Sequence, residues 1–160
     1  MRMITILAAA ALVGAGTVAA SAASVTKSID VNASPAAVWE AIGPFCSIKD
    51  WHPAIGQCTT DGKTPPTRTL VTKDGTATFV ELETGRSDKH HSYSYEIESS
   101  PLPLSHYKSR ISVSSNGTGG STIIWKSHFK PAEGKKDAAS EAVAGVYQAG
   151  LDAVKAKFAK

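Results

Sequence analysis

Two periodicities divide this chain. Apolar residues recur at helical spacing around Val38 to Ile42 and again from Val143 to Phe158, and between them apolar and polar residues alternate. The alternation starts early: Val25, Lys27, Ile29 and Val31 share one parity, and three of the four are apolar. Asn32-Ala33-Ser34-Pro35 then reads as a helix start. Ser34 offers a capping oxygen, and Pro35 suits the first helical position, where no N–H bond is lost. Val38, Trp39 and Ile42 form the apolar stripe of this helix, and Gly43-Pro44 stops it. A second short helix is predicted over 45–49.

Strands are predicted over 24–31, 55–60, 68–73, 77–84, 91–99, 105–114 and 122–130. Breakers separate them: Gly62 with Pro65-Pro66, Asp74-Gly75, the 85–89 segment, Pro101-Leu102-Pro103, and Asn116 to Gly120. Pro131 ends the last one. A long amphipathic helix is predicted over 137–158, with Val143, Val146, Tyr147, Gly150, Leu151, Val154 and Phe158 on one stripe. Lys155, Lys157 and Lys160 lie at its C-terminal end, where the helix dipole favours cations. Consecutive strands joined by tight turns make an antiparallel sheet, and one long helix covers one of its faces. The fold class is therefore α+β. A curved sheet of about seven strands wraps around a long C-terminal helix, with two short helices after strand 1. Glycine inside a helix costs roughly 1 kcal/mol relative to alanine. Gly150 on the buried stripe therefore predicts that space is needed under the helix.

The first 22 residues read as a signal peptide. Arg2 supplies the positive end, residues 4–13 are apolar but too few to span a bilayer, and Ala20-Ser21-Ala22 is a small-residue cleavage site. Residues 23–160 are the expected mature domain, periplasmic or secreted, with no stable membrane insertion. Losing Arg2 takes the formal charge from +3 to +2, too mild and too scattered for nucleic acid. A monomer is expected. In an oxidising compartment Cys46 and Cys58 form either a disulfide or two buried thiols, and the bridge is the expected state. It would enclose Trp51, His52 and Pro53. No metal is expected, because the cysteine spacing and the histidines lack ligand patterns. No cofactor motif is present in the form of a P-loop or a dinucleotide glycine run.

Several groups of residues resemble the SRPBCC superfamily, the helix-grip group that includes START domains, Bet v 1-like proteins and polyketide cyclase/dehydrase-like proteins. They are Ser34-Pro35-Ala36-Ala37-Val38-Trp39, Asp50-Trp51-His52-Pro53, Arg68-Thr69-Leu70, Tyr93-Ser94-Tyr95, Pro101-Leu102-Pro103, Tyr107, and Trp125 with Phe129. The Trp51-His52-Pro53 and Pro101-Leu102-Pro103 elements are similar to a bacterial polyketide-cyclase-like subgroup whose exported members include MxaD-like proteins. The resemblance implies a cavity for an apolar small molecule between sheet and helix. It implies no catalysis, since many members only bind or carry ligands.

Strand parity says what could line such a cavity. Ile123, Trp125, Ser127 and Phe129 share one face; Tyr93, Tyr95 and Ile97 share another, as do Tyr107, Ser109, Ile111 and Val113. These sets are unusually phenolic. Buried tyrosine hydroxyls need partners, which fits either a ligand site or hydroxyls reaching water at the sheet rim. Arg68 and Glu81 lie on adjacent hairpin strands and form either an inward pair that orients a ligand or an exposed cross-strand pair. His52 is either an acid or base at the pocket mouth or a loop cap. The candidate ligand-binding set is Trp51, on a loop expected to rim the open end of the fold, with His52, Arg68, Glu81, Tyr93, Tyr95, Tyr107, Trp125 and Phe129. The expected partner is a small hydrophobic or aromatic ligand. The alternatives are a cyclase- or dehydratase-type enzyme using His52 or Glu81 for proton transfer, and an accessory protein to a periplasmic dehydrogenase.

Overall fold

The computed structural model describes residues 22–159. The leader expected over 1–22 lies outside the described residues, save for Ala22. The elements follow in the order β1 (Ala23–Val31), α1 (Pro35–Ile42), α2 (Ile48–Trp51), β2 (Ile55–Thr60), β3 (Thr67–Thr72), β4 (Thr78–Ser87), β5 (Ser92–Ser99), β6 (Leu104–Ser115), β7 (Ser121–Pro131) and α3 (Lys136–Lys157). The strands form one antiparallel sheet in the order β1-β7-β6-β5-β4-β3-β2. β1 and β2 are thus neighbours in sequence but opposite edges in space, and α1 and α2 carry the chain between those edges. This is the expected helix-grip arrangement.

Local chemistry sets each boundary. Ser34 Oγ accepts from the Ala37 N–H at 3.3 Å, and Pro35 stands in the first turn of α1. Asp74 Oδ1 accepts from the Thr76 N–H at 3.0 Å and from the Thr72 hydroxyl at 2.6 Å, which closes the β3–β4 hairpin. Register shifts between Val80 and Glu81, between Glu83 and Gly85 and between Ser105 and Lys108 are bulges, which bend the sheet and raise its twist. In the last of these, His106 takes a φ of +51° and Tyr107 is re-aimed into the concave face.

Two boundaries differ from expectation by three residues, and the others by two at most. The second helix begins three residues later, at Ile48, and Pro44 to Ser47 is a turn closed by Ser47 N–H to the Pro44 carbonyl at 2.9 Å. The Phe45 carbonyl accepts from Arg68 Nη1 instead of a helical N–H, and Cys46 is bridged to Cys58. β4 also runs on to Ser87, because Gly85 marks a bulge and not a turn.

The core is one cluster between the concave face and the helices. Val38 and Ile42 of α1, Ile111 of β6, Ile123 and Trp125 of β7, and Val143, Leu151 and Val154 of α3 are almost wholly buried. α3 buries its predicted stripe except for Val146, which is 38% exposed, and Phe158, which caps the helix and is half-buried. No helix among the described residues is long and apolar enough to cross a membrane.

Candidate functional site

A cavity of about 100 Å³ lies between the sheet and α3, open at one end. Its apolar walls come from Ile48, Ile55, Phe79, Ile97, Leu102 and Val143, and Val146 stands at its edge. The polar side chains that reach it are His52, Thr72, Glu81, Tyr95, Tyr107, Trp125 and Tyr147. Five of the nine residues expected to line a pocket therefore do so: His52, Glu81, Tyr95, Tyr107 and Trp125. The other four support the wall from behind.

Trp51, expected on a loop at the rim, is instead the last residue of α2 and is buried. Its ring meets Trp125 edge-on at 5.6 Å and His52 at 5.8 Å. Phe129 stacks on Tyr107 at 6.0 Å. Tyr93 packs edge-on against Phe45 at 5.6 Å. Arg68 is fully buried, its guanidinium 4.0 Å from the centre of the Phe45 ring.

Of the two arrangements open for Arg68 and Glu81, the structure has the inward pair. Arg68 Nε donates to Glu81 Oε2 at 2.7 Å, and Nη2 stands 2.7 Å from the same oxygen. Burial, the largest single influence, disfavours the guanidinium charge, but Glu81, Tyr93 and Tyr95 together outweigh it and hold Arg68 above its ordinary pKa. The pair faces two ways: Arg68 reaches back to the Phe45 carbonyl, and Glu81 lines the cavity. A buried pair of this kind is costly to break, because either partner left alone is an uncompensated charge.

His52 is a clamp. Its Nδ1 accepts from the Ala54 N–H at 3.2 Å, so Nε2 carries the hydrogen and donates to the Val146 carbonyl at 2.9 Å. The ring thereby ties the segment after α2 to α3. Burial lowers its pKa; the bond to Val146 opposes this, while Arg68 and Lys73 add to it. With both nitrogens held by backbone groups, the imidazole offers no free position for proton transfer.

The tyrosines form a network. Trp125 Nε1 donates to the Tyr95 hydroxyl at 3.1 Å and to Ser109 Oγ at 3.2 Å. Tyr147 bonds Ser109 Oγ at 2.8 Å and also the Tyr107 hydroxyl. Trp125 and Tyr147 stack at 4.3 Å. Burial raises the pKa of Tyr95, Tyr107 and Tyr147 alike. Tyr147 was missed as a site residue, although the apolar stripe already placed it inward. A tyrosine on an otherwise aliphatic stripe was the available signal. Phe79 shares the parity of Glu81 on β4, and Leu102 reaches the cavity from the loop between β5 and β6.

Gly150 marks contact and not space. A Cβ there would lie 2.7 Å from His52 Cδ2 and 3.0 Å from both Trp125 Cζ3 and Trp51 Cζ3. The glycine lets α3 approach the three rings, and the cavity lies beside it. The Cys46–Cys58 disulfide is formed, with the Cα atoms 5.5 Å apart, and pins the turn before α2 to the edge strand β2.

No curated protein matches the chain. Among solved structures it is similar to the protein XoxI from Bacillus cereus, at 32% identity and a TM-score of 0.82, over 86% of this chain and 96% of that one. It is equally similar to an uncharacterised protein from Bacillus thuringiensis, at 31% identity and a TM-score of 0.81, over 86% of this chain and all (100%) of that one. Ara h 8.0201, at 14% identity and a TM-score of 0.71 over 87% of this chain and 99% of that one, shares the fold alone. The family described as polyketide cyclase / dehydrase and lipid transport matches residues 22–159, the whole of the described domain. The chain therefore belongs to the polyketide cyclase/dehydrase and lipid transport family, within the SRPBCC superfamily of helix-grip proteins.

Proposed function

We propose that this protein is exported and, as a monomer, binds a small and largely apolar molecule in the cavity between its sheet and α3. The observation that carries this reading is the cavity itself. It is open at one end, walled mainly by aliphatic and aromatic side chains, and has a carboxylate and a tyrosine network at its polar side. Such concave, mostly apolar sites with a few convergent polar groups are typical of ligand pockets. Its volume is two thirds of the roughly 150 Å³ engineered cavity that holds benzene, so a one-ring or short-chain molecule fills it. Binding is favoured over proton transfer by His52, whose ring nitrogens are both engaged. Export is supported by the leader pattern at 1–22 and by the disulfide, which oxidising compartments sustain.

Native mass spectrometry of protein recovered from its own periplasm tests this. The expected species is a mature chain beginning at Ala23, two hydrogens lighter than its reduced form, with a small molecule that leaves on mild activation. Protein that arrives empty, and whose tryptophan fluorescence no apolar probe perturbs, would overturn the binding reading.

A further inference from the structure

The hydrogen atoms on the cavity wall can be counted. Each polar side chain there except Tyr95 has a defined donor state, because its partners leave one choice. His52 Nε2–H points at the Val146 carbonyl. The Thr72 hydroxyl donates to Asp74 Oδ1 at 2.6 Å. Trp125 Nε1–H is shared between Tyr95 and Ser109. Ser109 behind the wall donates to the Lys126 carbonyl at 3.0 Å, so the Tyr147 hydroxyl must donate to Ser109. Tyr107 then donates to the Tyr147 oxygen, while the Tyr95 hydroxyl accepts from Trp125 and keeps its own hydrogen uncommitted. The hydroxyl hydrogens run one way along this chain and end on a backbone carbonyl. Among the described residues, the buried hydroxyls with no hydrogen-bond partner, Tyr93 and Ser127, do not line the cavity. Glu81, the remaining polar side chain, is a carboxylate in an ion pair and has no hydrogen to give. Both Arg68 contacts fall on its Oε2.

Apart from the Tyr95 hydroxyl, which can give or accept, the wall therefore presents acceptors. We propose that the ligand is a neutral molecule with a hydroxyl-type donor, a phenol or a short alcohol, which gives its hydrogen bond to Glu81; this rests on the ligand-binding reading above. A carboxylate or phosphate finds only the Tyr95 hydroxyl as donor and faces the Glu81 carboxylate. An ammonium group is disfavoured because Arg68 already neutralises Glu81, so a second cation would bury unpaired charge. A neutral hydroxyl adds no charge, and its bond to an ionised acceptor is of the stronger kind.

The test is an NMR titration of the oxidised mature protein with four single-ring probes: phenol, fluorobenzene, benzoate and benzylammonium. Phenol and fluorobenzene differ little in size, so the hydroxyl hydrogen is the main variable. Phenol is expected to bind at least tenfold more tightly than each of the other three, with shifts at Tyr95, Tyr107 and Val146. In Glu81→Gln the gap between phenol and fluorobenzene should narrow to under threefold. If that variant fails to fold, the four-probe series on the unaltered protein decides alone. Equal binding of phenol and fluorobenzene would overturn the donor requirement while leaving a ligand cavity intact. Tighter binding of benzoate or benzylammonium would overturn it too. Silence from all four probes would refute the ligand-binding reading itself, and this inference with it.

Discussion

Gly145 and Gly150 sit one and a half turns apart on the same helix, and replacing each with alanine should have opposite effects. Alanine gains roughly 1 kcal/mol over glycine in a helix interior wherever its methyl group is accommodated. At Gly145, which is exposed, no side chain or distant backbone lies within 4 Å of the new Cβ. Gly145→Ala should therefore stabilise by up to about 1 kcal/mol. At Gly150 the same methyl meets His52, Trp125 and Trp51 at 2.7 to 3.0 Å. None of the three can swing away freely. His52 is held at both nitrogens, Trp125 is stacked on Tyr147, and Trp51 is wedged against both. Overpacking of this kind costs about 1–3 kcal/mol. If the ring of His52 yields, the bond to Val146 goes as well, for about 1 kcal/mol more. Setting these costs against the helix gain leaves a loss of about 1–3 kcal/mol for Gly150→Ala. Urea unfolding followed by tryptophan fluorescence gives both numbers, and an unchanged slope confirms that stability alone moved. A Gly150→Ala protein as stable as the parent would refute the reasoning, since α3 would then have slack against the rings.

Two further outcomes follow from the disulfide and from His52. The bridge closes a loop with a sequence separation of 12, and in the chain-entropy model such a loop is worth about 3 kcal/mol. The Cys46→Ala/Cys58→Ala double variant should lose stability of that size in urea, and a loss below about 1 kcal/mol would mean that the turn before α2 is held without it. His52 has its folded-state pKa lowered from 6.5, chiefly by burial, so the unfolded chain binds the proton more readily. Its contribution is fully present above pH 6.5 and is lost as pH falls toward the native value. Burial raises the Glu83 pKa, which gives the opposite slope, so the comparison must be with His52→Gln and not with an absolute curve. Between pH 7 and 5.5 the parent should lose more stability than the variant, and parallel curves would show that His52 titrates as it does in the unfolded chain.

Most of the architecture was legible because it rests on local rules. Period-2 alternation, the Ser34-Pro35 helix start and the Asp74-Gly75 turn each specify structure within a few residues. A seven-stranded antiparallel sheet with one long helix follows from their order. Strand parity also placed Tyr95, Tyr107 and Trp125 on the concave face, since a side chain's face on a strand depends only on counting.

What parity left open was decided by contacts between distant parts of the chain. On β4, Glu81 and Phe79 oppose Val80 and Leu82, and both faces carry apolar residues. Only the arrival of the Phe45 carbonyl and ring beside Arg68 makes the inner face the right place for the pair. Gly150 shows the same limit: its place on a buried stripe was visible, but whether a cavity or three rings lay beyond it was not. Trp51 was assigned to a rim because a turn and a short helix are hard to tell apart before the Cys46–Cys58 bridge and Arg68 fix that segment. Local pattern was enough for the elements, their order and the inward faces of β5, β6 and β7. The tertiary structure alone decided which inward residues bound open space and which bury one another. That choice depends on the curvature of the sheet and on how closely α3 approaches it, and neither is a local property of the chain.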